Sequence, residues 1–241
     1  MSITSFFESA QITWPTVNYL LGGVGMTCLL ITLAMTLGLI LGTFMASLQV
    51  YGPGWAARLV GLYVWFFRSV PILVLMFMFY LGLSSQIDSL IFNFFGSRVR
   101  IPAFPVAAVV LGLCSAAYQS QIFRGAIQSI PSGQFRAAKA LGFSSVGAVK
   151  TIILPQALRI SIPAWSNEYS ILLKDSAIAF VLGVTEIMAR FKAVASTNHR
   201  PLLMYILAGI LYYILTQIGV YLLMKLYRKI RTPGLADTEN V

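Results

Sequence analysis

Residues 133–159 read GQFRAAKALGFSSVGAVKTIILPQALR and combine two short amphipathic patterns with four cationic side chains. The cations are Arg136, Lys139, Lys150 and Arg159. Long apolar runs lie on both sides of this basic stretch. A basic insert between apolar runs is typical of a loop that joins membrane-spanning helices on the inner side of the membrane.

The composition also indicates a membrane protein. Of the 241 residues, 58% are hydrophobic and 10% are charged, whereas a soluble domain carries about 25% charged residues. The formal net charge of +10 agrees with basic residues that orient spanning helices. Because no clustered basic tract lies away from the predicted membrane ends, we expect no nucleic-acid partner.

Five apolar segments are long enough to cross about 30 Å of hydrocarbon at about 1.5 Å per residue. They cover about 18–48, 59–82, 104–123, 160–184 and 202–224. We therefore predict an all-α integral membrane protein with five transmembrane helices. The predicted divisions are an extracytoplasmic segment 1–17, a transmembrane domain 18–231 and a cytoplasmic tail 232–241.

The distribution of basic residues predicts the orientation. No Lys or Arg precedes Arg58, so the N-terminus should lie outside and, after five spans, the C-terminus inside. Most of the 17 Lys and Arg residues then fall on the inner side, as the positive-inside rule requires. This orientation places the basic stretch in the cytoplasm, between the third and fourth spans.

The first half of the basic stretch predicts a short helix that Ser132 caps and Gly142 ends. Its apolar positions are Phe135, Ala138 and Leu141. Arg136 and Lys139 occupy a different face of this helix. We expect the apolar side to face inward and the cations to be exposed.

The second half predicts another helical turn or two, capped by Ser144 or Ser145 and ended by Pro155. Its apolar positions are Val146, Val149, Ile152 and Ile153. The two short helices, over about 132–154, suit either of two roles. They are a docking surface for a partner protein, or an interfacial pair that lies on anionic lipid.

The same stretch resembles the loop motif of ABC-importer membrane subunits, where a Glu-Ala-Ala triplet precedes a Gly and then Ile-x-Leu-Pro. The matching residues are Ala137, Ala138, Gly142, Ile152, Leu154 and Pro155. Arg136 replaces the usual Glu, so an ionic contact made by that Glu is lost or reversed in this chain.

Three further elements resemble the permease subunits of polar amino acid ABC importers, the histidine, glutamine, arginine and opine type. FRSVPILVLMFMFYLG is similar to their Arg-x-x-Pro element. AYQSQIFRGAIQSIPSGQ is similar to their Ala-Tyr-x-x-Glu-x-x-Arg-Gly element, with Gln121 in place of the Glu. NEYSILLKDSAIAFVLGVTEI resembles their fourth-span signature. Together these elements cover about 67–186 in the order found in the family.

The resemblance implies that the basic stretch forms coupling helices, which sit in a cleft of a separate ATPase subunit. The implied docking residues are Phe135, Arg136, Ala137, Ala138, Lys139, Leu141 and Gly142. The chain has no G-x-x-x-x-G-K-[ST] phosphate loop, so ATP and Mg would be bound by the partner ATPase. We expect no catalytic residue, metal site or cofactor in this chain.

The resemblance also implies the other partners. They are two copies of the ATPase, a second permease subunit that is identical or homologous, and an extracytoplasmic solute-binding protein. The chain would lie in the lipid of a prokaryotic inner membrane as a multi-pass protein. It would import an amino acid by alternating access, and it would not be an enzyme.

Ionisable groups in the fourth apolar segment point to a substrate site, since each costs about 2.5–3.5 kcal/mol in a membrane. Glu168 and Asp175 are seven residues apart. On a regular helix that spacing is about 10.5 Å along the axis and about 20° off one face. The alternative is structural: Lys174 forms an ion pair with Glu168 or with a carboxylate on another span.

In the resembled family, the Glu of Asn-Glu and the Asp of Lys-Asp contribute to substrate recognition. They correspond to Glu168 and Asp175, with Asn167 and Ser176 alongside. Side chains of the third span could complete the site or serve in packing; these are Tyr118, Gln119 and Gln121. Two carboxylates favour a cationic or zwitterionic ligand such as arginine, lysine, histidine or an opine.

Two other functions are weighed against the importer. An ion-coupled secondary transporter would act without an ATPase, but five spans without an internal repeat fit that class poorly. An intramembrane hydrolase needs a Ser–His pair or two facing Asp residues. The single histidine, His199, lies outside the predicted spans, and Asp175 is the only Asp within one.

Overall fold

The structure, a computed structural model, describes residues 13–96 and 101–230, and these two ranges are helical with no strand. The predicted tail 232–241 lies outside the described residues, and the predicted N-terminal segment 1–17 is described only from residue 13. The all-α prediction is therefore confirmed for the described part of the chain.

The elements follow each other with short connections. The first are α1 (Trp14–Tyr51), α2 (Gly54–Ser69), α3 (Ile72–Phe77), a π-helical turn (Met78–Leu83), α4 (Ser84–Phe95) and α5 (Ala103–Ser129). They are followed by α6 (Ser132–Ala140), α7 (Ser145–Ala148), a second π-helical turn (Val149–Ile153), α8 (Leu154–Asp175), a 3-10 helix (Ser176–Leu182), α9 (Ile187–Asn198) and α10 (Pro201–Ile230).

Four helical stretches of the described chain are long and apolar enough to cross a membrane. They are Trp14–Tyr51, Ile72–Phe94, Ala103–Ser129 and Pro201–Ile230. The predicted fourth segment, 160–184, is formed by α8 and the 3-10 helix. It is not among the four, since α8 carries several polar and ionisable side chains. The count of five spans stays a prediction.

The predicted second segment, 59–82, is not one helix. The structure ends α2 at Ser69 and begins α3 at Ile72, with Pro71 between them in an extended conformation (φ −56°, ψ 136°). Proline lacks the N–H that would continue α2, and it disfavours helical geometry at the residue before it. The apolar stretch after this break, Ile72–Phe94, is the one long enough to span a membrane.

The chain divides into two compact units, each built from three segments. The first unit comprises Met1–Ala34, Val70–Gly112 and Ile171–Thr216. Within it, α3 and α9 each pack against the 3-10 helix. The buried core of this unit joins the start of α1, α9 and the first half of α10; its residues are Leu20, Ile187, Phe191, Ala195, Met204 and Ala208.

The second unit comprises Met35–Ser69, Leu113–Ser170 and Gln217–Val241. One core cluster joins the C-terminal half of α1 to α5 and the start of α8; it contains Ala46, Phe123, Ala126, Ile127, Ile130, Ile153 and Ala157. A second cluster joins α1, α2 and α5 through Met45, Val60, Val64, Ala116 and Ala117. Small residues on α5 let the helices of this unit approach closely.

Candidate functional site

The basic stretch forms the two short helices that its sequence predicts. The first, α6, begins at Ser132, but the residue that precedes and caps it is Pro131 (φ −54°, ψ 127°). Ser132 is the first helical residue and does not occupy the capping position, so the prediction of a Ser132 cap is wrong. The fixed φ of proline suits the residue just before a helix, which moves Ser132 into the first turn.

The end of α6 is the one predicted, at Gly142. This residue has φ +88°, a left-handed conformation that glycine adopts without a steric cost. Its N–H donates to the carbonyl of Lys139 at 3.1 Å, and the N–H of Phe143 donates to the carbonyl of Ala138 at 3.1 Å. This pair of bonds is a Schellman motif, which satisfies the last carbonyls of the helix.

The second short helix is capped as predicted but does not end as predicted. Ser144 Oγ accepts a hydrogen bond from the N–H of Gly147 at 3.0 Å. Pro155 does not end the helical structure. It is the second residue of α8, which begins directly after the π-helical turn. Proline removes one N–H of the helical ladder, and a π-helical turn just before it is a local adjustment by which a helix accommodates a proline.

The apolar residues of these helices divide into a buried and an exposed set. Ala138, Val149 and Ile153 are buried, as predicted. Leu141 and Val146 are 79% and 76% exposed, so the expectation that they face inward is wrong. Leu141 follows the last helical residue of α6, and Val146 lies in the four-residue α7, so neither has a long helix face to pack against.

Exposed apolar and cationic side chains thus lie together on the insert. We call them the exposed tip: Arg136, Ala137, Lys139, Leu141, Gly142 and Val146, all exposed in this chain. The two remaining predicted docking residues, Ala138 and Phe135, pack against other residues of the second unit. Ala138 is buried, and the ring of Phe135 stacks on that of Tyr51 at 4.8 Å between centroids.

Glu168, the main predicted substrate residue, lies in a buried polar cluster of the second unit. Its side chain is 3% exposed. The hydroxyl of Ser115 donates to Glu168 Oε1 at 2.8 Å, and Gln119 Nε2 donates to Ser115 Oγ at 2.9 Å. The indole N–H of Trp165 donates to Gln119 Oε1 at 2.8 Å. We call these four residues the polar cluster.

Sequence reasoning placed Glu168 in the substrate site, left Gln119 open between the site and packing, and missed Ser115. The signal was available, because Ser115 and Gln119 are four apart on α5 and so lie on one face of that helix. What the sequence does not contain is the pairing of this face with Glu168, which is 53 residues away along the chain from Ser115.

The other predicted substrate residues of α8 and the 3-10 helix divide between the two units. Asn167, in the second unit, is exposed. In the first unit Asp175 is half-buried and Lys174 is exposed. Ser176 is buried and its hydroxyl donates to the carbonyl of Leu173 at 2.7 Å, which keeps it on its own helix. Lys174 also lines a cavity of about 440 Å³ in that unit.

The predicted residues of α5 have partners in the second unit. The guanidinium of Arg68 lies 4.8 Å from the ring centroid of Tyr118, a cation–π contact. Gln121 Nε2 donates to Gln49 Oε1 at 3.0 Å and to Ser120 Oγ at 3.0 Å. Gln121 therefore links α5 to α1 through a neutral amide pair with Gln49.

Sequence reasoning also missed Glu186, a fully buried carboxylate of the first unit. It caps α9 by accepting hydrogen bonds from the N–H groups of Met188 and Ala189, each at 2.7 Å. The hydroxyl of Tyr212 donates to it at 2.6 Å. Burial raises the pKa of this carboxyl, and the three donated hydrogen bonds oppose that rise. An acidic residue directly before a helical pattern was the available signal.

Comparison with known proteins identifies the fold and the family. A family model described as binding-protein-dependent transport system inner membrane component matches residues 38–231. A solved structure of an amino acid ABC transporter with histidines has a TM-score of 0.74 and 28% identity, covering 95% of this chain and 99% of that one. An inward-facing MetNI methionine transporter structure has a TM-score of 0.73 at 19% identity, which supports the fold alone.

Two curated relatives cover most of the chain. The octopine transport system permease protein OccQ of Rhizobium meliloti is 33% identical over 202 residues, 83% of this chain and 85% of that protein. The histidine/lysine/arginine/ornithine transport system permease protein HisM of Escherichia coli strain K12 is 32% identical over 216 residues, 88% of this chain and 87% of that protein. The resemblance drawn from the sequence motifs is thereby confirmed. The chain belongs to the family of binding-protein-dependent transport system inner membrane components, the permease subunits of ABC transporters.

Proposed function

We propose that this chain is the permease subunit of an importer for a polar amino acid with a cationic group, such as arginine, lysine, histidine or an opine. The observation that carries the proposal is its similarity, over 88% of its length, to a permease named for histidine, lysine, arginine and ornithine. Two carboxylates on α8, Glu168 and Asp175, agree with a positively charged ligand.

The proposed topology has five spans, with the N-terminus outside, the C-terminus inside and α8 with the 3-10 helix as the fourth span. Because the fourth span is the least apolar, it is the one expected to face protein and substrate rather than lipid. The insert 132–154 then lies in the cytoplasm. Alternating access would expose the substrate path first to the outside and then to the inside.

The proposed role of the exposed tip is to dock an ATPase subunit. Leu141 and Val146 supply apolar contact area, and Arg136 and Lys139 supply charge around it, as in the core and rim of a protein interface. Two ATPase subunits would bind ATP and Mg, a second permease would complete the pore, and a solute-binding protein would deliver substrate outside. Arg136 stands where the resembled loop motif has Glu, so an acidic partner group suits it.

The proposed substrate contacts are Glu168 and Asp175, and the further candidates are Asn167, Ser176, Tyr118 and Gln121. A buried carboxylate attracts a cation strongly, since it is weakly screened in a low-dielectric interior. The same burial excludes an acidic ligand, which would face like-charge repulsion. The property to measure is therefore the difference between the change in KM for a cationic substrate and the change in KM for a neutral one.

The test uses the complete transporter, with its ATPase and binding protein, reconstituted in liposomes. Uptake of arginine and of glutamine is compared for Glu168→Gln and for Asp88→Asn, a control that removes an acidic side chain outside α8. We expect Glu168→Gln to raise the KM for arginine by on the order of ten-fold and to change that for glutamine far less. Equal effects on both substrates would refute the assignment of Glu168.

A further inference from the structure

The hydrogen bonds of the polar cluster have a fixed direction. The indole N–H of Trp165 can only donate, so the atom of Gln119 that faces it must be the amide oxygen. The carbonyl of Met35 can only accept, and it lies 3.3 Å from Gln119 Nε2, so this atom must be the amide nitrogen. Both neighbours therefore assign the same orientation to the Gln119 amide.

This orientation determines what Ser115 does. Because Gln119 Nε2 donates to Ser115 Oγ at 2.9 Å, the oxygen of the hydroxyl is occupied as an acceptor and its single hydrogen is available to Glu168, 2.8 Å away. Every link of the chain Trp165–Gln119–Ser115–Glu168 thus donates toward the carboxylate. Donors that point at a carboxylate hold its orientation.

Two glycines of α1 pack against the hydrogen-bonded chain Trp165–Gln119–Ser115–Glu168, which we call the relay. A Cβ atom at Gly38 would overlap the amide nitrogen of Gln119 and lie 3.0 Å from Ser115 Oγ. A Cβ atom at Gly42 would lie 2.9 Å from the Cβ of Gln119. The Gln119 side chain is therefore packed directly against the backbone of α1, and it is fully buried.

We infer that Ser115 and Gln119 are positioning residues that set the substrate selectivity of the transporter by holding the Glu168 carboxylate in its orientation. This inference rests on the proposed role of Glu168 in recognising a cationic substrate. Ser115 and Gln119 act through Glu168 and need no contact with the substrate. Their loss therefore affects cationic substrates and leaves neutral ones nearly unchanged.

The test compares Ser115→Ala with Ser161→Ala in the reconstituted transporter. Ser161 is also buried, but its hydroxyl donates only to the carbonyl of Leu158 in its own helix, at 2.9 Å. We expect Ser115→Ala to raise the KM for arginine on the order of ten-fold, with kcat and the KM for glutamine within about two-fold of the original. Ser115→Thr, which keeps the hydroxyl, should restore the KM for arginine.

A second variant tests the relay without removing any of its groups. The three atoms nearest to a Cβ at Gly38 belong to the side chains of Gln119 and Ser115, so Gly38→Ala displaces these side chains more readily than the backbone. Gly38→Ala should therefore raise the KM for arginine as Ser115→Ala does. If Ser115→Ala is not recovered from membranes, Gly38→Ala alone tests the role of the relay.

The outcomes separate this inference from the proposed function. Suppose that Glu168→Gln raises the KM for arginine but not that for glutamine, whereas Ser115→Ala and Gly38→Ala both leave the KM for arginine as Ser161→Ala does. The relay is then refuted and the substrate proposal stands. If Glu168→Gln affects arginine and glutamine equally, the role of Glu168 is refuted and the inference falls with it.

Discussion

The close contact between Gly42 and α5 gives the sharpest stability prediction. A Cβ atom at position 42 would lie 2.9 Å from the Cβ of Gln119 and 3.0 Å from the backbone nitrogen of Ser120. These atoms belong to the body of α5 rather than to the end of a flexible side chain. Relief of the overlap in Gly42→Ala therefore requires α1 and α5 to move apart.

The size of the effect follows from two opposing terms. Overpacking a well-packed interface costs about 1–3 kcal/mol, whereas replacing Gly by Ala inside a helix gains about 0.8–1.0 kcal/mol in helix propensity. Gly25→Ala and Gly61→Ala are controls for the second term, since a Cβ at either position meets no atom within 4 Å. Gly42→Ala should therefore be less stable than either control by about 1–3 kcal/mol.

Thermal unfolding of the purified transporter in detergent measures this difference. For a chain of this size, 1 kcal/mol corresponds to about 2–4 °C in Tm, so Gly42→Ala should melt roughly 2–12 °C below the two controls. A Gly42→Ala variant that melts with the controls, or above them, would show that α1 and α5 are not in the contact described for the second unit.

Two further predictions concern the exposed tip and the buried carboxylate of the first unit. Leu141→Asp should reduce ATP hydrolysis stimulated by the binding protein at least ten-fold, since a charge replaces an apolar contact, while leaving Tm unchanged because Leu141 is 79% exposed. Gln128→Asp, at an exposed site at the end of α5, is its control, and equal ATPase rates would contradict the docking role. Tyr212→Phe should lower Tm by roughly 3–12 °C, since it removes a hydrogen bond of about 1.5–3 kcal/mol to the buried Glu186. Tyr213→Phe removes an exposed hydroxyl on the neighbouring residue and should melt like the original, so equal Tm values for the two variants would exclude the Glu186 bond as a stabilising contact.

The sequence correctly predicted two features of the insert that depend on a few neighbouring residues. The end of α6 at Gly142 requires only a residue that tolerates positive φ, and the cap at Ser144 requires only a hydroxyl before a free N–H. The exposure of Leu141 and Val146 was not predictable in this way. It depends on how short α6 and α7 are in the fold, and amphipathic periodicity assumes a longer face.

The candidate site was predictable in its residues and not in its contacts. The cost of a carboxylate in a membrane singles out Glu168 and Asp175 from the sequence alone. The donors to Glu168 come from α5, and a single sequence does not specify which face of one helix meets which face of another. The break at Pro71 was missed, since the second segment was predicted to run from 59 to 82, although the proline itself indicates such a break.

The most direct test of the central claim locates the exposed tip relative to the membrane and the ATPase. A Leu141→Cys variant with Cys28 and Cys114 replaced by alanine is treated with a membrane-impermeant maleimide, in spheroplasts and in inside-out vesicles. We expect labelling only in inside-out vesicles, and protection from it when the ATPase subunit is bound. Labelling of Cys at position 141 in intact spheroplasts would place the tip outside and contradict the account.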